Sequence, residues 1–268
     1  MPLPDDNPVS GWLKDWTLVV PVANENVLRT TLLRSPAVNS GCELLLERSF
    51  TSAGKAYNAG IDASKNELLV FAHQDVYLPP RWMDELSVAL RQLHSADPNW
   101  GVVGVWGRAA SGTGEGFVHS TGLARTLGQP FDRAVEVQTL DELLLITRRS
   151  SGLRFDEALP GFHLYGTDLC LQARAMGRKN YVISTFCVHN STGLRALPLA
   201  FWTSYEYLRR KWCPILPIIT PCTIIRKSYL GMLTEACRSY KGALARRCKI
   251  AGGRAEDPAA LYRTLVSQ

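Results

Sequence analysis

The sequence predicts an α/β domain on a mostly parallel sheet flanked by helices and joined by right-handed crossovers. Apolar runs rich in branched residues recur at 17–22 (TLVVPV), 42–47 (CELLLE), 68–72 (LLVFA) and 101–105 (GVVGV). Segments with helix caps and helical spacing lie between them, and that alternation is the mark of parallel strand–helix–strand units. The 268 residues suffice for one large domain or a domain with an appendage.

The first strand stops at Pro21 and the polar Ala23-Asn24-Glu25, and residues 26–34 suit a short helix. Ser52 caps a helix running to about Ser64, with Tyr57 and Ile61 four apart on one face. The run 68–72 reads as a strand buried on both faces. It ends abruptly in His73-Gln74-Asp75 and a proline-rich turn, and Pro80 suits the first turn of a helix reaching about His94. Residues 107–135 are glycine-rich and polar. Their SGTGEG lacks the Lys-Ser/Thr of a phosphate-binding loop, so it reads as a flexible loop of the kind that serves as a lid. A buried strand follows at 143–147, a loop at 156–166, a short helix at 168–176 closed by Gly177, and a last strand at 181–186.

Charge divides the chain. Residues 196–268 hold 12 Lys/Arg against 4 Asp/Glu, whereas residues 1–195 hold 18 against 20. The expected organisation is a catalytic domain over 1–195 and a helical, basic extension over 196–268. The seven cysteines are scattered and form no Cys-x-x-Cys pair, which argues against a disulfide framework or zinc site and for a reducing compartment. The acidic, proline-rich start, read as a loose arm over 1–15, does not resemble a signal peptide. The apolar patch 212–225 is too short to span a bilayer. A cytoplasmic protein is expected.

In parallel sheets the ligand crevice lies at the carboxyl ends of the strands, so Asp75 sits where a diphosphate and its metal would bind. His73 points to the same side of an extended segment. His189 follows the last strand and, beside Asp75, would complete a metal site of mixed oxygen and nitrogen ligands. Asp168 falls in a first helical turn, where the helix dipole favours the ionised carboxylate. Each feature also has an ordinary explanation: a turn, a surface histidine, a helix cap.

The ordered motifs VVPVANE, ELLLERS, SAGKAYNAGIDASKNE, LLVFAHQDVYLP, YGTDLCLQARAMG and VHNSTG resemble the family 2-like glycosyltransferases with the Rossmann-like GT-A fold of nucleotide-diphospho-sugar transferases. The resemblance spans roughly residues 15–195. It implies inverting transfer of a sugar from a nucleotide-diphosphate donor to an acceptor hydroxyl, in polysaccharide or glycoconjugate synthesis. It places Pro21 to Glu25 in the first nucleotide-binding loop, Glu47 at the base and Asn58 on the helix after that loop. His73-Gln74-Asp75 matches the Asp-x-Asp signature with only its last acid kept. Asp75 would hold Mn2+ or Mg2+, with His73 near the ribose and His189 as a further metal ligand. Asp168 keeps the acid of a Glu-Asp pair that supplies the catalytic base. One base opposite the leaving diphosphate gives a single displacement with inversion.

In the extension, Phe201, Tyr205, Leu208 and Trp212 share a helical face. That face either packs on the domain or, with Arg209-Arg210-Lys211 and Arg246-Arg247-Lys249, meets a lipid-linked acceptor or the inner face of the membrane. No recognised nucleic-acid-binding module is present. A nucleotidyltransferase would show a glycine- and lysine-rich loop after the first strand, and none is seen. The missing acids motivate a second reading, a non-catalytic sugar-nucleotide-binding or scaffold protein.

Overall fold

The structure, a computed structural model, describes residues 11, 13, 15–193, 196–246 and 252–267. Most of the expected arm, Arg247, Lys249 and the side chain of Arg246 lie outside the described residues. The chain runs β1 (Trp16–Val22), α1 (Glu25–Thr30), α2 (Pro36–Asn39), β2 (Glu43–Arg48), α3 (Ala53–Ala63), β3 (Leu68–Ala72), β4 (Val76–Tyr77) and α4 (Trp82–Ala96). Short strands follow: β5 (Val103–Gly104), β6 (Trp106–Arg108), β7 (Gly114–Ser120), β8 (Arg125–Gly128), β9 (Val135–Val137) and β10 (Thr139–Leu140). Then come β11 (Leu144–Arg148), α5 (Tyr165–Ala175), β12 (Asn180–Val182), β13 (Cys187–His189), α6 (Leu199–Lys211), β14 (Ile218–Ile219), β15 (Ile224–Ile225), α7 (Tyr229–Arg246) and α8 (Pro258–Val266).

The main sheet has seven strands in the order β2-β1-β3-β11-β5-β12-β9. Strand β1 is parallel to β2 and β3, and β5 to β12. Side chains alternate between two cores. Leu18, Val20, Leu68 and Val70 pack with Trp16 and Trp82 on one face, and Val19, Leu69 and Phe71 pack with Tyr57 and Tyr165 on the other. Burial on both faces explains the uninterrupted apolar runs. Ser52 caps α3 by accepting from Lys55 N at 3.4 Å. Gly60 lets α3 approach the sheet, since a Cβ there would lie 2.2 Å from Val19 Cγ1.

The sheet is less parallel than the sequence suggests. Strand β11 runs antiparallel to both β3 and β5, and β9 runs antiparallel to β12. The chain from β5 to β11 makes small strands and no crossover helix, so nothing forces β11 into the parallel sense. Of the predicted strand at 181–186 only the start belongs to β12, in the main sheet; β13, just beyond it, joins a second sheet ordered β10-β6-β7-β13-β4 with β8 beside β7. Residues 111–116 are not an open loop. They form the β6–β7 turn, closed by Gly112 N donating to Ala109 O at 2.9 Å, and the start of β7. Gly116 has φ +134° and rests on Val105 O, so close backbone approach accounts for a glycine there. Pro80 precedes α4 and does not lie in its first turn.

Helix α6 buries Phe201, Tyr205 and Leu208 in the second core. The face proposed for lipid is therefore a packing face. Helix α7 is different. Its exposed arc carries Tyr229, Leu230, Leu233, Cys237, Tyr240 and Leu244, bordered by Arg238 and Lys241. Helix α8 lays Leu261, Tyr262 and Leu265 over Tyr77, Phe186 and Val188.

Candidate active site

The carboxyl ends of β1 and β3 are tied together by one side chain. Gln74 Oε1 accepts from Ala23 N at 3.0 Å and from Asn24 N at 2.9 Å. Asn24 in turn caps α1 through Val27 N. Pro21 lies in register with Glu47 on β2, whose carboxyl is pushed up by burial. Glu25 pairs with Arg48 at 2.6 Å. Thus Pro21, Glu25, Glu47 and Gln74 gather at one edge of three adjacent strands. Asn58 is occupied elsewhere: its amide donates to Phe155 O at 2.9 Å and to Glu157 Oε1 at 3.0 Å, and accepts from Phe155 N at 3.0 Å. It fastens the 155–157 loop.

Asp75 and His189 meet because β4 and β13 pair, with His189 opposite Val76 and Asn190 N donating to Asp75 O at 2.7 Å. His189 Nε2 lies 3.4 Å from Asp75 Oδ1, and His73 Nδ1 lies 4.0 Å from the same oxygen. One ligand atom from each of the three residues falls within 4.8 Å of the others. Burial pushes the Asp75 carboxyl up, but the hydrogen bond and charge of His189, with the charge of Arg254, hold it well below the usual range. Burial pulls His189 down, yet Asp75 keeps it above the ordinary imidazole value.

His73 is set by a chain of tyrosines. Tyr165 Oη lies within hydrogen-bonding distance of His73 Nε2 at 2.8 Å, Glu142 O at 3.2 Å and Tyr57 Oη at 3.3 Å. Burial lowers the His73 pKa and favours the neutral ring. Nδ1 faces the Asp75 carboxylate across 4.0 Å, and in the tautomer protonated on Nε2 it offers its lone pair to a cation between them. Two imidazoles and one carboxylate, one ring oriented by an outer hydroxyl, suit a divalent ion that accepts nitrogen ligands, as Mn2+ does, better than Mg2+, which prefers an all-oxygen shell.

Asp168 is the fourth residue of α5, not its cap; the helix starts one turn earlier than expected, after Leu164 in a left-handed conformation. Its side chain is 1% exposed. It accepts from Lys211 Nζ at 2.8 Å, Trp212 Nε1 at 2.7 Å and Gln172 Nε2 at 2.8 Å. Burial raises its pKa against the pull of Lys211 and Trp212. Lys211 also bridges to Asp156 at 2.6 Å, and Tyr207 donates to Asp156 at 2.8 Å.

Besides Tyr165, three contributors escaped the sequence reading. Asp141 and Glu142 precede β11, and because β11 is antiparallel its amino end arrives at the carboxyl edge, where His73 N donates to Leu143 O at 3.0 Å. Glu142 accepts from Gly166 N at 3.4 Å, and burial with the charge of Asp141 raises its pKa. Arg254 lies beyond the expected domain, its Nη2 3.5 Å from Asp75 Oδ2.

A glycosyltransferase-like family matches residues 19–210. The ATP synthase subunits region ORF 6 protein of Fuscovulum blasticum is 37% identical over 134 residues, 47% of this chain and 52% of its own. The chain thus spans about half the length of that relative. Among solved structures, the mannosyltransferase PcManGT of Pyrobaculum calidifontis, in complex with GDP-Man and Mn2+, aligns over 94% of this chain and 79% of its own, at 17% identity and a TM-score of 0.49. S. aureus TarS 1–349, in complex with UDP-GlcNAc, aligns over 73% and 65%, at 15% identity and a TM-score of 0.48. With the family match covering most of the chain, this protein belongs to the glycosyltransferase-like family, on a mixed sheet flanked by helices.

Proposed function

We propose that the protein transfers a sugar from a nucleotide-diphosphate donor to an acceptor hydroxyl with inversion, in polysaccharide or glycoconjugate synthesis. The observation that carries this reading is the cluster of His73, Asp75 and His189 beside the loops that Gln74 ties together. Pro21, Glu25 and Glu47 would border the nucleoside. Asp75, His189 and His73 would hold a divalent cation, and such an ion would offset charge growing on the leaving diphosphate. Mn2+ fits the donor set better than Mg2+. The division into a catalytic domain over 1–195 and an extension over 196–268 is kept, with α6 bracing the domain.

Asp168 is proposed as the base from its place in the motif, and Lys211 would keep it ionised. To take a proton it must be uncovered, because its side chain is 1% exposed and its described contacts fill three of about four lone-pair sites. That burial favours a second reading: Asp168 anchors the end of α6, and half-buried Asp141 receives the acceptor's proton.

The acceptor would be a saccharide or a lipid-linked sugar. Among the described residues no helix is long and apolar enough to cross a membrane. We place the protein in the cytoplasm, with α7 touching the inner face of the membrane.

Thermal-shift measurements with UDP, GDP and their sugars, with and without Mn2+, test donor binding. At a hundredfold excess over its dissociation constant a true ligand adds about 2.7 kcal/mol of stability. Release of nucleoside diphosphate from the stabilising sugar nucleotide supports an enzyme; binding with no turnover, with or without added acceptors, supports the scaffold reading.

A further inference from the structure

We infer that Arg254, carried back to the sheet edge by residues 252–257, is the protein's own cation for a diphosphate, sharing Asp75 with the metal site. This inference rests on the donor reading above. Asp75 has two distinct sides. Its Oδ1 faces His189 and His73, and its Oδ2 faces Arg254 Nη2 at 3.5 Å. One carboxylate thus meets a permanent guanidinium and two imidazoles, a balance that leaves room for an anion. Half of an Asp-x-Asp signature gives less negative charge to hold a cation. Arg254 adds positive charge at the same place.

The guanidinium is placed by construction. Asn190, next to His189 and 1% exposed, holds the neighbouring backbone in both directions. Its Oδ1 accepts from Ala255 N at 2.7 Å, and its Nδ2 donates to Ala255 O at 3.0 Å and Thr31 Oγ1 at 3.2 Å. Arg254 Nε donates to Asn190 O at 3.1 Å. Before the arginine, Gly252 lies so close to the 121–122 turn that a Cβ would sit 2.6 Å from Gly122 O. After it, Asp257 caps α8, which is docked on Tyr77 and Phe186. The segment is therefore pinned on both sides of residue 254. The side chain remains 36% exposed, and its contacts use Nε and Nη2 of a five-proton fork. The planar fork suits two phosphate oxygens.

Two consequences follow. A diphosphate should bind without metal, through Arg254. Mn2+ alone should bind weakly, because the guanidinium competes for Asp75. Isothermal titration of the full chain with UDP, GDP and inorganic pyrophosphate tests the first, beside Arg254→Gln and Arg254→Lys. Arg254→Gln should weaken all three roughly 10- to 100-fold without metal, while uridine and guanosine bind unchanged. Arg254→Lys keeps the charge without the fork and should fall between, and it serves as the readout if the glutamine variant does not fold. Titrating Mn2+ into the free proteins should show tighter binding to Arg254→Gln than to wild type.

Unchanged anion and Mn2+ affinities, with only a lowered melting temperature, would make Arg254 a clasp on Asn190 and overturn the inference while leaving the donor reading intact. Pyrophosphate binding that depends on Arg254, with no binding of either nucleotide, would sink the nucleotide-donor reading and leave the anion site. Binding of none of the three to wild type would overturn both.

Discussion

Asp168 shows that burial, more than position in a motif, limits what a carboxylate can do. The charge of Lys211 and the indole of Trp212 stabilise its ionised form, and the same contacts stand between it and any acceptor. The two roles separate on substitution. In either role Asp168→Asn breaks a buried pair and costs about 3–5 kcal/mol of stability. If Asp168 is the base, the molecules that remain folded lose single-turnover transfer by roughly 10²–10⁴-fold; if it is only an anchor, their chemistry is spared. Asp141→Asn then becomes the variant that loses transfer. Asp75 and His189 were legible because polar residues at the ends of apolar runs must lie at a sheet edge. Tyr165, Asp141 and Arg254 were not, because each reaches the edge through an element whose direction or docking no local pattern encodes.

Elements whose neighbours in sequence are also neighbours in space were read well. The third strand has its expected bounds, and Ser52 begins α3 as its capping chemistry requires. Strand β11 was found with its direction unknown, since an apolar run looks the same in either sense. The extension illustrates tertiary arbitration: two aromatic helices have similar patterns, yet α6 is buried and α7 is not. Their junction is held by Glu206, which accepts from Arg209 Nε at 2.6 Å, Arg210 Nε at 2.6 Å and Tyr229 Oη at 2.9 Å. The Arg209 hydrogen bond is the largest cause of its pKa falling to about 2 from 4.5. A lowered folded-state pKa gives stability that is fully present above the unfolded value and lost as pH falls through the folded one. The clamp should therefore weaken between pH 4.5 and about pH 2. Chemical denaturation of wild type and Glu206→Gln at pH 6 should differ by about 1–3 kcal/mol, and the gap should narrow steadily on acidification across that window. A gap independent of pH would show that Glu206 acts through packing alone.

Across the whole molecule, charge and exposed apolar surface fall on the same part. The outward arc of α7 presents leucines and tyrosines with Arg238 and Lys241 beside them, and its one acid, Glu235, is buried between Arg226 and Arg238. Such a face suits the boundary of an anionic bilayer. Vesicles containing phosphatidylglycerol should retain the protein in co-sedimentation, and neutral phosphatidylcholine vesicles should not. Leu233→Glu with Leu244→Glu should abolish retention with little change in melting temperature. Self-association through the arc, seen as a dimer that the same variants dissociate without any effect on vesicles, would refute the membrane assignment. The segment bearing Arg254 has a further consequence, one of time. Its contact with Asp75 joins positions 179 apart in sequence, and Asn190 bonds Thr31 across 159. Closing loops of that length is entropically dearer than pairing β1 with β3. Loop-closure entropy therefore favours an order in which the sheet edge forms first and the clasp on Asn190 then brings the guanidinium to Asp75.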